Sequence, residues 1–177
     1  IIYNGPLEKG SLLNAGHFQL LGVSADAKEQ KFDTSLGDAH VFQSGFTPGA
    51  TVLEPKERKK LFTLAERTGI LKLIASPDGK DSSLKINQDV RMYSTLIQKG
   101  NHVIHELGHN RSAWLHVVKG RILLDGLQLQ VGDGVGFFDE PAVSFTAQEP
   151  SEILLFDLAV QETEIGSSAP LPTIPGQ

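Results

Sequence analysis

Short apolar runs, each ended by a turn signal, fill the stretch from Ser112 to Leu158. The turn signals are glycines, an Asp-Gly pair, a Gly-Asp-Gly triplet and two segments that end in Pro. Short strands at this spacing are typical of an all-β sandwich or barrel. The pattern therefore predicts strands at Ala113–Lys119, Ile122–Leu124, Leu127–Val131, Val135–Phe138, Ala142–Ala147 and Ile153–Leu158.

The best-defined local feature of this stretch is a hairpin at Asp125-Gly126. A two-residue turn of the primed types needs positive φ angles, which Gly adopts without steric cost. After the turn, Leu127, Leu129 and Val131 alternate with glutamines. This period of two predicts a strand with these three side chains on a buried face.

Four aromatic side chains of the stretch suit either the barrel core or a platform on which a ligand stacks. Trp114, Phe137, Phe138 and Phe145 lie within the predicted strands. Large aromatic residues contribute much of the apolar surface that a protein core buries. We therefore predict that they fill the barrel.

The first half of the chain contains weaker strand patterns. Strands are predicted at Ile1–Tyr3 and Ala39–Phe46, and Ser11–Leu21 reads as two apolar runs broken near Gly16. The same strand–turn–strand pattern recurs in Leu129–Phe138, with its glycine 116 residues after Gly16. Such a recurrence indicates two related β domains, although any two strand–turn–strand units look alike at this level.

A charge run within residues 52–62 places a domain junction in the middle of the chain, because such runs are usually solvated linkers or edges. A short helical turn is predicted at Thr63–Gly69. Further strands follow at Ile70–Ala75, Ser83–Gln88, Val90–Gln98 and His102–Leu107. The last residues, 167–177, are rich in Pro and small side chains, which predicts a tail without a core of its own.

Composition narrows the function classes. The 177 residues have a net charge of −5, so nucleic acid and anionic membrane surfaces are not expected as partners. Cysteine is absent from the sequence, which excludes disulfides, thiolate metal sites and cysteine nucleophiles. No apolar run reaches the roughly 20 residues of a membrane helix, and a cytoplasmic location is the default expectation. Residue 1 is Ile and the only methionine is Met92, so we expect translation to begin upstream.

Four of the six histidines lie within fifteen residues: His102, His105, His109 and His116. Imidazoles on adjacent strands suit Fe, Mn, Ni or Zn, so a metal site at His102, His105 and His109 is one hypothesis. Residues three apart in a regular strand point to opposite faces, however, which separates His102 from His105. His109 follows a glycine and is predicted in a turn, and His116 shares a face with Trp114 and is predicted inside the barrel. The alternative is that these histidines have ordinary structural hydrogen bonds, and no catalytic residue is assigned.

Several segments resemble the pirin-like protein family. The match is specific over the C-terminal half and extends from Tyr3 to Leu158. The segments that carry it are IASPDGKDSSL at Ile74–Leu84, WLHVVKG at Trp114–Gly120, DGVGFFD at Asp133–Asp139, EILLFDL at Glu152–Leu158 and NAGHFQL at Asn14–Leu20.

The resemblance implies a bicupin, which consists of two small β-barrels. The N-terminal cupin would be incomplete and occupy residues 1–55, the complete C-terminal cupin would occupy 56–158, and a tail rich in Pro and Ser would follow at 159–177. In this family three histidines and one glutamate of the N-terminal cupin hold a metal, often iron. Some bacterial members are quercetin 2,3-dioxygenases, and others are regulators that bind proteins.

The family's ligand positions are not matched here. Two of the histidines belong to an H-x-H strand that would precede Ile1. The other histidine and the glutamate align with Glu29 and Lys31, and a protonated lysine repels a cation. In the C-terminal cupin, the generic cupin glutamate falls near Ala113 and the later histidine falls at Val143–Phe145, so the resemblance implies a second barrel without metal.

The leading hypothesis is a pirin-like protein with a degenerate metal site and a binding or structural role. No cofactor is expected within these residues, although Fe or another divalent metal is open for a longer parent protein. The alternative is a metal-dependent oxygenase of the quercetinase type. The partners left open are a small aromatic ligand, a protein, and a second copy that associates through the incomplete N-terminal barrel, where unpaired strand edges favour pairing.

Overall fold

The computed structural model describes residues 2–4, 16–20, 40–46 and 58–160. Glu29, Lys31 and the predicted tail beyond Val160 lie outside these residues, as does the first apolar run of Ser11–Leu21. The strands are β1 Ile2–Asn4, β2 His17–Leu20, β3 His40–Phe42, β4 Arg58–Leu61, β5 Lys72–Ser76, β6 Leu84–Lys85, β7 Val90–Ile97, β8 His102–Glu106, β9 Arg111–Lys119, β10 Arg121–Leu124, β11 Leu127–Gln130, β12 Gly134–Phe137, β13 Ala142–Ala147 and β14 Ser151–Ala159. The helix α1 is Leu64–Arg67, and a short 3₁₀ turn covers Lys80–Ser82. The predicted all-β class is confirmed.

Two sheets form the C-terminal barrel. One has six strands in the order β12-β9-β14-β7-β5-β6, and the other has four in the order β11-β10-β13-β8. All neighbours are antiparallel except β5 and β6. The hairpin between β10 and β11 turns at Asp125-Gly126, where φ is 46° and 82°, and this confirms the turn predicted there.

Apolar side chains from both sheets fill the interior between them. Alternate residues of each strand face inward, as the period of two requires. The buried cluster, called here the barrel core, comprises Ile97, Ala113, Leu115, Val117, Ile122, Leu124, Leu129, Phe137, Val143, Phe145, Ala147, Ile153 and Leu155. The predicted inward positions of Phe137 and Phe145 are therefore confirmed.

Four predicted burials in this half of the chain are wrong. Leu127 and Val131 are 52% and 57% exposed, and only Leu129 of that alternating set is buried. The reason is that β11 is the edge strand of its sheet, so its ends extend past the core. Trp114 and Phe138 are 43% and 73% exposed, because Trp114 points to the outer face of the six-stranded sheet and Phe138 follows the end of β12.

The N-terminal strands form a separate four-stranded antiparallel sheet in the order β3-β1-β2-β4. Phe18 of β2 and Phe42 of β3 pack with Phe156 and Ile74 on the outer face of the six-stranded sheet. The described N-terminal strands therefore dock on the C-terminal barrel. Association of a second copy through the N-terminal strands stays a prediction.

Strand β4, Arg58–Leu61, lies in the predicted charge run and pairs with β2, so this part of the run forms an edge of the N-terminal sheet. It belongs to the N-terminal sheet although it follows residue 55, and the domain bounds stay a prediction. Two other elements are shorter than predicted. β3 covers only His40–Phe42 of Ala39–Phe46, and β6 covers only Leu84–Lys85 of Ser83–Gln88.

Helix α1 confirms the predicted helical turn and connects the two halves. Thr63 and Glu66 form a capping box, in which the backbone N–H of Thr63 donates to the Glu66 carboxylate at 2.8 Å. Arg67 at its end is 2% exposed and donates to Glu152 at 2.6 Å and to Ser94 at 3.0 Å. In the described part of the chain, no helix is long and apolar enough to cross a membrane.

Candidate functional site

A buried carboxylate near the end of β14 forms the most polar part of the C-terminal barrel. Asp157 is 3% exposed. Its Oδ2 lies 3.2 Å from Nε2 of His105 and 3.7 Å from a guanidinium nitrogen of Arg91. Its Oδ1 accepts from Nε of Arg111. These residues, with Tyr93, are called here the Asp157 cluster.

Strand register brings the cluster together. Asp157 lies opposite Arg91 of β7 and opposite Ala113 of β9, and the inward alternation of β14 aims its carboxylate between the two sheets. Arg111 also donates to the main-chain oxygen of Asp157 at 2.9 Å and to the Asp89 carboxylate at 3.0 Å. Arg111 thus ties the start of β9 to the end of β14 and to the turn before β7.

The surroundings shift the pKa values of Asp157 and Tyr93 in opposite directions. Burial opposes ionisation of Asp157, but hydrogen bonds from His105 and Arg111 outweigh it and hold the pKa of Asp157 below its usual value. Burial and the nearby Asp157 charge raise the pKa of Tyr93, whose ring centroid lies 4.7 Å from that of His105. At neutral pH the cluster therefore contains an ionised carboxylate and a protonated phenol, which suits hydrogen bonding to a polar ligand group.

A shallow cleft of about 470 Å³ adjoins the cluster at the same end of the barrel. Arg111 lines both. The backbone of the cleft walls is held by hydrogen bonds from Leu107 N–H to the Pro141 carbonyl at 2.8 Å and from Val160 N–H to the Asn110 carbonyl at 3.1 Å. The lining residues are Leu107, Gly108, His109, Asn110, Arg111, Asp139, Glu140, Pro141 and Val160.

The three histidines of the predicted metal site do not share a set of partners. His102 is exposed and lies 2.9 Å from Thr146 Oγ1 and 3.2 Å from Ser144 Oγ. His105 faces the other way, into the Asp157 cluster, as expected for residues three apart, and His109 lies in the turn beside the cleft. Among residues 2–4, 16–20, 40–46 and 58–160, no group of three or more His, Asp or Glu side chains is placed to hold a metal ion.

The prediction that His116 lies inside the barrel is wrong. It is on the outer face of the six-stranded sheet, where its ring centroid lies 4.7 Å from that of Phe42. Trp114 shares a face with His116, as predicted, but that face is the outer one. Its indole covers Gly134, where a Cβ would overlap the ring. Neither residue lines the cleft or the Asp157 cluster.

The positions of the generic cupin ligands are filled by apolar side chains. Ala113, Val143 and Phe145 are each at most 2% exposed and belong to the barrel core. Their side chains offer no donor atom to a metal. The described interior of the C-terminal barrel therefore does not fit a cupin metal centre.

Reasoning from sequence did not find the Asp157 cluster beyond His105. One signal was present: of the two acidic residues in the run EILLFDL, Glu152 and Asp157, only Asp157 is in phase with the inward residues Ile153 and Leu155. A carboxylate in such a run requires a buried partner. That partner is Arg111, which lies 46 residues before Asp157 and meets it only through the packing of β9 beside β14.

Comparison with known proteins agrees with the fold. Residues 73–158 match the model of the quercetinase C-terminal cupin domain. A quercetin 2,3-dioxygenase of Escherichia coli O157:H7 is 30% identical over 145 residues, which are 81% of this chain and 62% of that protein. A pirin-like protein of Caulobacter vibrioides is 27% identical over 82% of this chain. The chain thus spans less than two thirds of the length of these relatives.

A solved structure shows the same arrangement. The bacterial pirin YhhW from Escherichia coli, solved in complex with nickel(II), superposes with a TM-score of 0.77 at 27% identity over 89% of this chain and 69% of YhhW. The strand order, the family model and these relatives agree with the segments that resemble pirins. Residues 73–158 therefore form a pirin-type C-terminal cupin domain, and the chain is a homologue of pirin-like proteins.

Proposed function

We propose that this chain has a binding or structural role in which its C-terminal barrel holds no catalytic metal. The observation that carries the proposal is the apolar filling of the barrel at Ala113, Val143 and Phe145. A metal requires oxygen, nitrogen or sulfur ligands, and these three apolar side chains supply none. In the part of the chain that the structure describes, the Asp157 cluster and its cleft offer polar groups to a ligand at the end of the barrel.

The N-terminal positions support the same role. Glu29 and Lys31 stand where the family resemblance calls for a histidine and a glutamate. Replacing a carboxylate ligand by an ammonium group changes the local charge by two units and repels a divalent cation. A degenerate metal site therefore agrees with the residues at both barrels.

The groups that the chain presents indicate which classes of partner it would bind. An aromatic ligand that carries a hydroxyl would stack on Tyr93 and donate to the Asp157 cluster, and a protein partner or a second copy would use the edges of the N-terminal sheet. The net charge of −5 gives no reason to propose nucleic acid. A cytoplasmic location stays a prediction.

The test is metal content together with oxygen uptake. We expect far less than one bound Fe, Mn, Co or Ni per chain, and no oxygen consumption with quercetin and added metal. The matched control is the double variant Glu29→His/Lys31→Glu, which introduces two family ligands and is expected to raise metal retention. One equivalent of metal in the unaltered chain would overturn the proposal.

A metal-dependent quercetin 2,3-dioxygenase is the second candidate. It is favoured by relatives named as that enzyme at 30% identity and by the nickel(II) complex of YhhW. The metal would polarise the flavonol and oxygen, and its ligands would come from outside the residues described. Oxygen uptake that depends on quercetin and on one of the four metals would establish this candidate.

A further inference from the structure

His116 lies at the contact between the N-terminal sheet and the barrel. Its imidazole packs against the ring of Phe42, which also lies 6.2 Å from the Phe156 ring. In the register of the six-stranded sheet, His116 has Leu154 on one side and Gly134 on the other. The half-buried imidazole therefore packs between apolar groups of the barrel's outer face and Phe42 of β3.

The surroundings favour the neutral form of this imidazole. Burial is the main cause that lowers the pKa of His116, and the nearby His40 lowers it further, while Asp133 acts in the opposite direction. No described side chain forms a hydrogen bond to the His116 ring. A charge on this ring would therefore lose part of its hydration, and the nearby Asp133 carboxylate compensates for only part of that loss.

His40 makes the contact sensitive from both sides. It is an exposed residue of β3, two positions before Phe42, whereas His116 belongs to β9. The proximity of His40 opposes protonation of His116, because like charges across a contact repel. A protonated His116 would also attract the Phe42 ring weakly, and release of β3 requires that burial of the charge outweighs this attraction.

We propose that His116 is a pH-sensitive latch that holds β3 on the outer face of the six-stranded sheet when neutral and releases it when protonated. The C-terminal barrel stays folded, because its core lies on the other face of the sheet and contains neither His116 nor Phe42. The N-terminal sheet is the part that moves, since Phe42 is the contact of β3 with the ring.

The direction of the pH effect follows from linkage. The pKa of His116 is lower in the docked state than in the released state, where the ordinary histidine value of about 6.5 applies. The docked state therefore has its full stability above about pH 6.5, and this stability is lost as the pH falls toward and through the lower docked-state pKa. Each unit between the two pKa values changes the docking equilibrium up to about tenfold.

The experiment is amide hydrogen exchange of the full 177-residue chain at pH 7.5 and pH 5.5, corrected for the intrinsic exchange rate. We expect protection of residues 40–46 to fall several-fold at the lower pH, while Ser151–Ala159 in β14 stays unchanged. Trp114 is the only tryptophan and lies two residues from His116, so its fluorescence supplies an independent readout of the same transition.

Two variants separate titration from packing. His116→Phe keeps an aromatic ring and removes the proton, so protection of residues 40–46 is expected to stay high at both pH values. His102→Gln, on the other sheet, is expected to behave as the unaltered chain. If near-UV circular dichroism shows that His116→Phe does not fold, His116→Gln replaces it. In that variant the amide protection of residues 40–46 is expected to be lower at pH 7.5, and its dependence on pH is again expected to be lost.

The proposal is overturned by either of two results. One is equal protection of residues 40–46 at both pH values in the unaltered chain. The other is an unchanged pH dependence in the folded His116 variant, which would assign the effect to another group. A partial loss of the pH dependence in His40→Gln is expected, because this variant removes the repulsion but not the burial of His116.

Discussion

The C-terminal barrel and the N-terminal sheet use the same kind of strand in different ways. The barrel closes two sheets over thirteen buried apolar residues of its own. The N-terminal sheet has strands of only three or four residues. The cluster beneath it consists mainly of barrel residues, and among the described side chains of β2, β3 and β4 its buried member is Phe18.

The barrel is stabilised by its own core, whereas the N-terminal sheet is stabilised by its contact with the barrel. A sheet must bury one face, and short strands with few apolar residues cannot do so alone. The described N-terminal strands bury theirs on a face that belongs to the barrel. We therefore expect damage to the barrel to unfold both regions, and damage to the contact to affect the N-terminal sheet alone.

The largest expected effect is that of Phe145→Ala. Phe145 is buried in the barrel core, and removing a buried phenyl ring costs about 3–5 kcal/mol, since the cavity adds to the lost transfer free energy. Urea unfolding followed by circular dichroism measures this change. We expect the amides of β2 and β3 to lose protection with it.

Phe138→Ala is the matched control, because Phe138 is an exposed phenylalanine of the same barrel. Its free energy of unfolding should change by about 0.5 kcal/mol or less. Equal losses in the two variants would contradict the assignment of the barrel core.

A smaller loss, about 2–3 kcal/mol, is expected for Asp157→Asn. The substitution removes the charge that Arg111 and His105 face in a buried site, and their hydrogen bonds weaken. Because the folded-state pKa of Asp157 is lowered, its contribution is present above the ordinary pKa of about 3.9 and is lost as the pH falls through the lower folded value. Thermal unfolding at pH 3 to 7 should therefore show a shallower acid slope in the variant.

Asp139→Asn is the control for this slope, as Asp139 is an aspartate at the rim of the nearby cleft. Its acid slope should equal that of the unaltered chain. The Asp157 assignment fails if both variants have the original slope.

The smallest effect on the barrel is expected for Phe42→Ala. Phe42 packs on His116 and Phe156 from the N-terminal side, so its loss should raise hydrogen exchange in residues 40–46. The urea midpoint of the barrel should change by the equivalent of about 0.5 kcal/mol or less. A larger shift would show that the two regions unfold as one unit.

Most of the barrel could be predicted from sequence because its strands are amphipathic and its turns contain glycine. Strand β13 has the predicted bounds, and β9, β10 and β14 differ from theirs by one or two residues at an end. The prediction failed at Leu127, Val131 and Phe138, where apolar residues lie at a sheet edge or just past the end of a strand. Alternation cannot show that a strand is at an edge, since strand order is a long-range property.

The candidate site was less predictable. His105 was identified, but as a metal ligand candidate with His102 and His109, and its partner in the structure is Asp157. Residues 52 positions apart meet there because β8 and β14 belong to different sheets of one barrel. No local pattern encodes such a pair.

The sequence by itself determined the all-β class, the succession of strands, the turn at Asp125-Gly126 and the family, because these depend on local periodicity, turn chemistry and matched segments. Only the tertiary structure decided which face each strand presents to which layer. The six-stranded sheet is covered on both faces, so a period of two separates His116 from Leu115 without showing which of them faces the barrel core. Packing of the N-terminal sheet on the outer face placed His116 against Phe42 and left Asp157 to face His105 on the inner side.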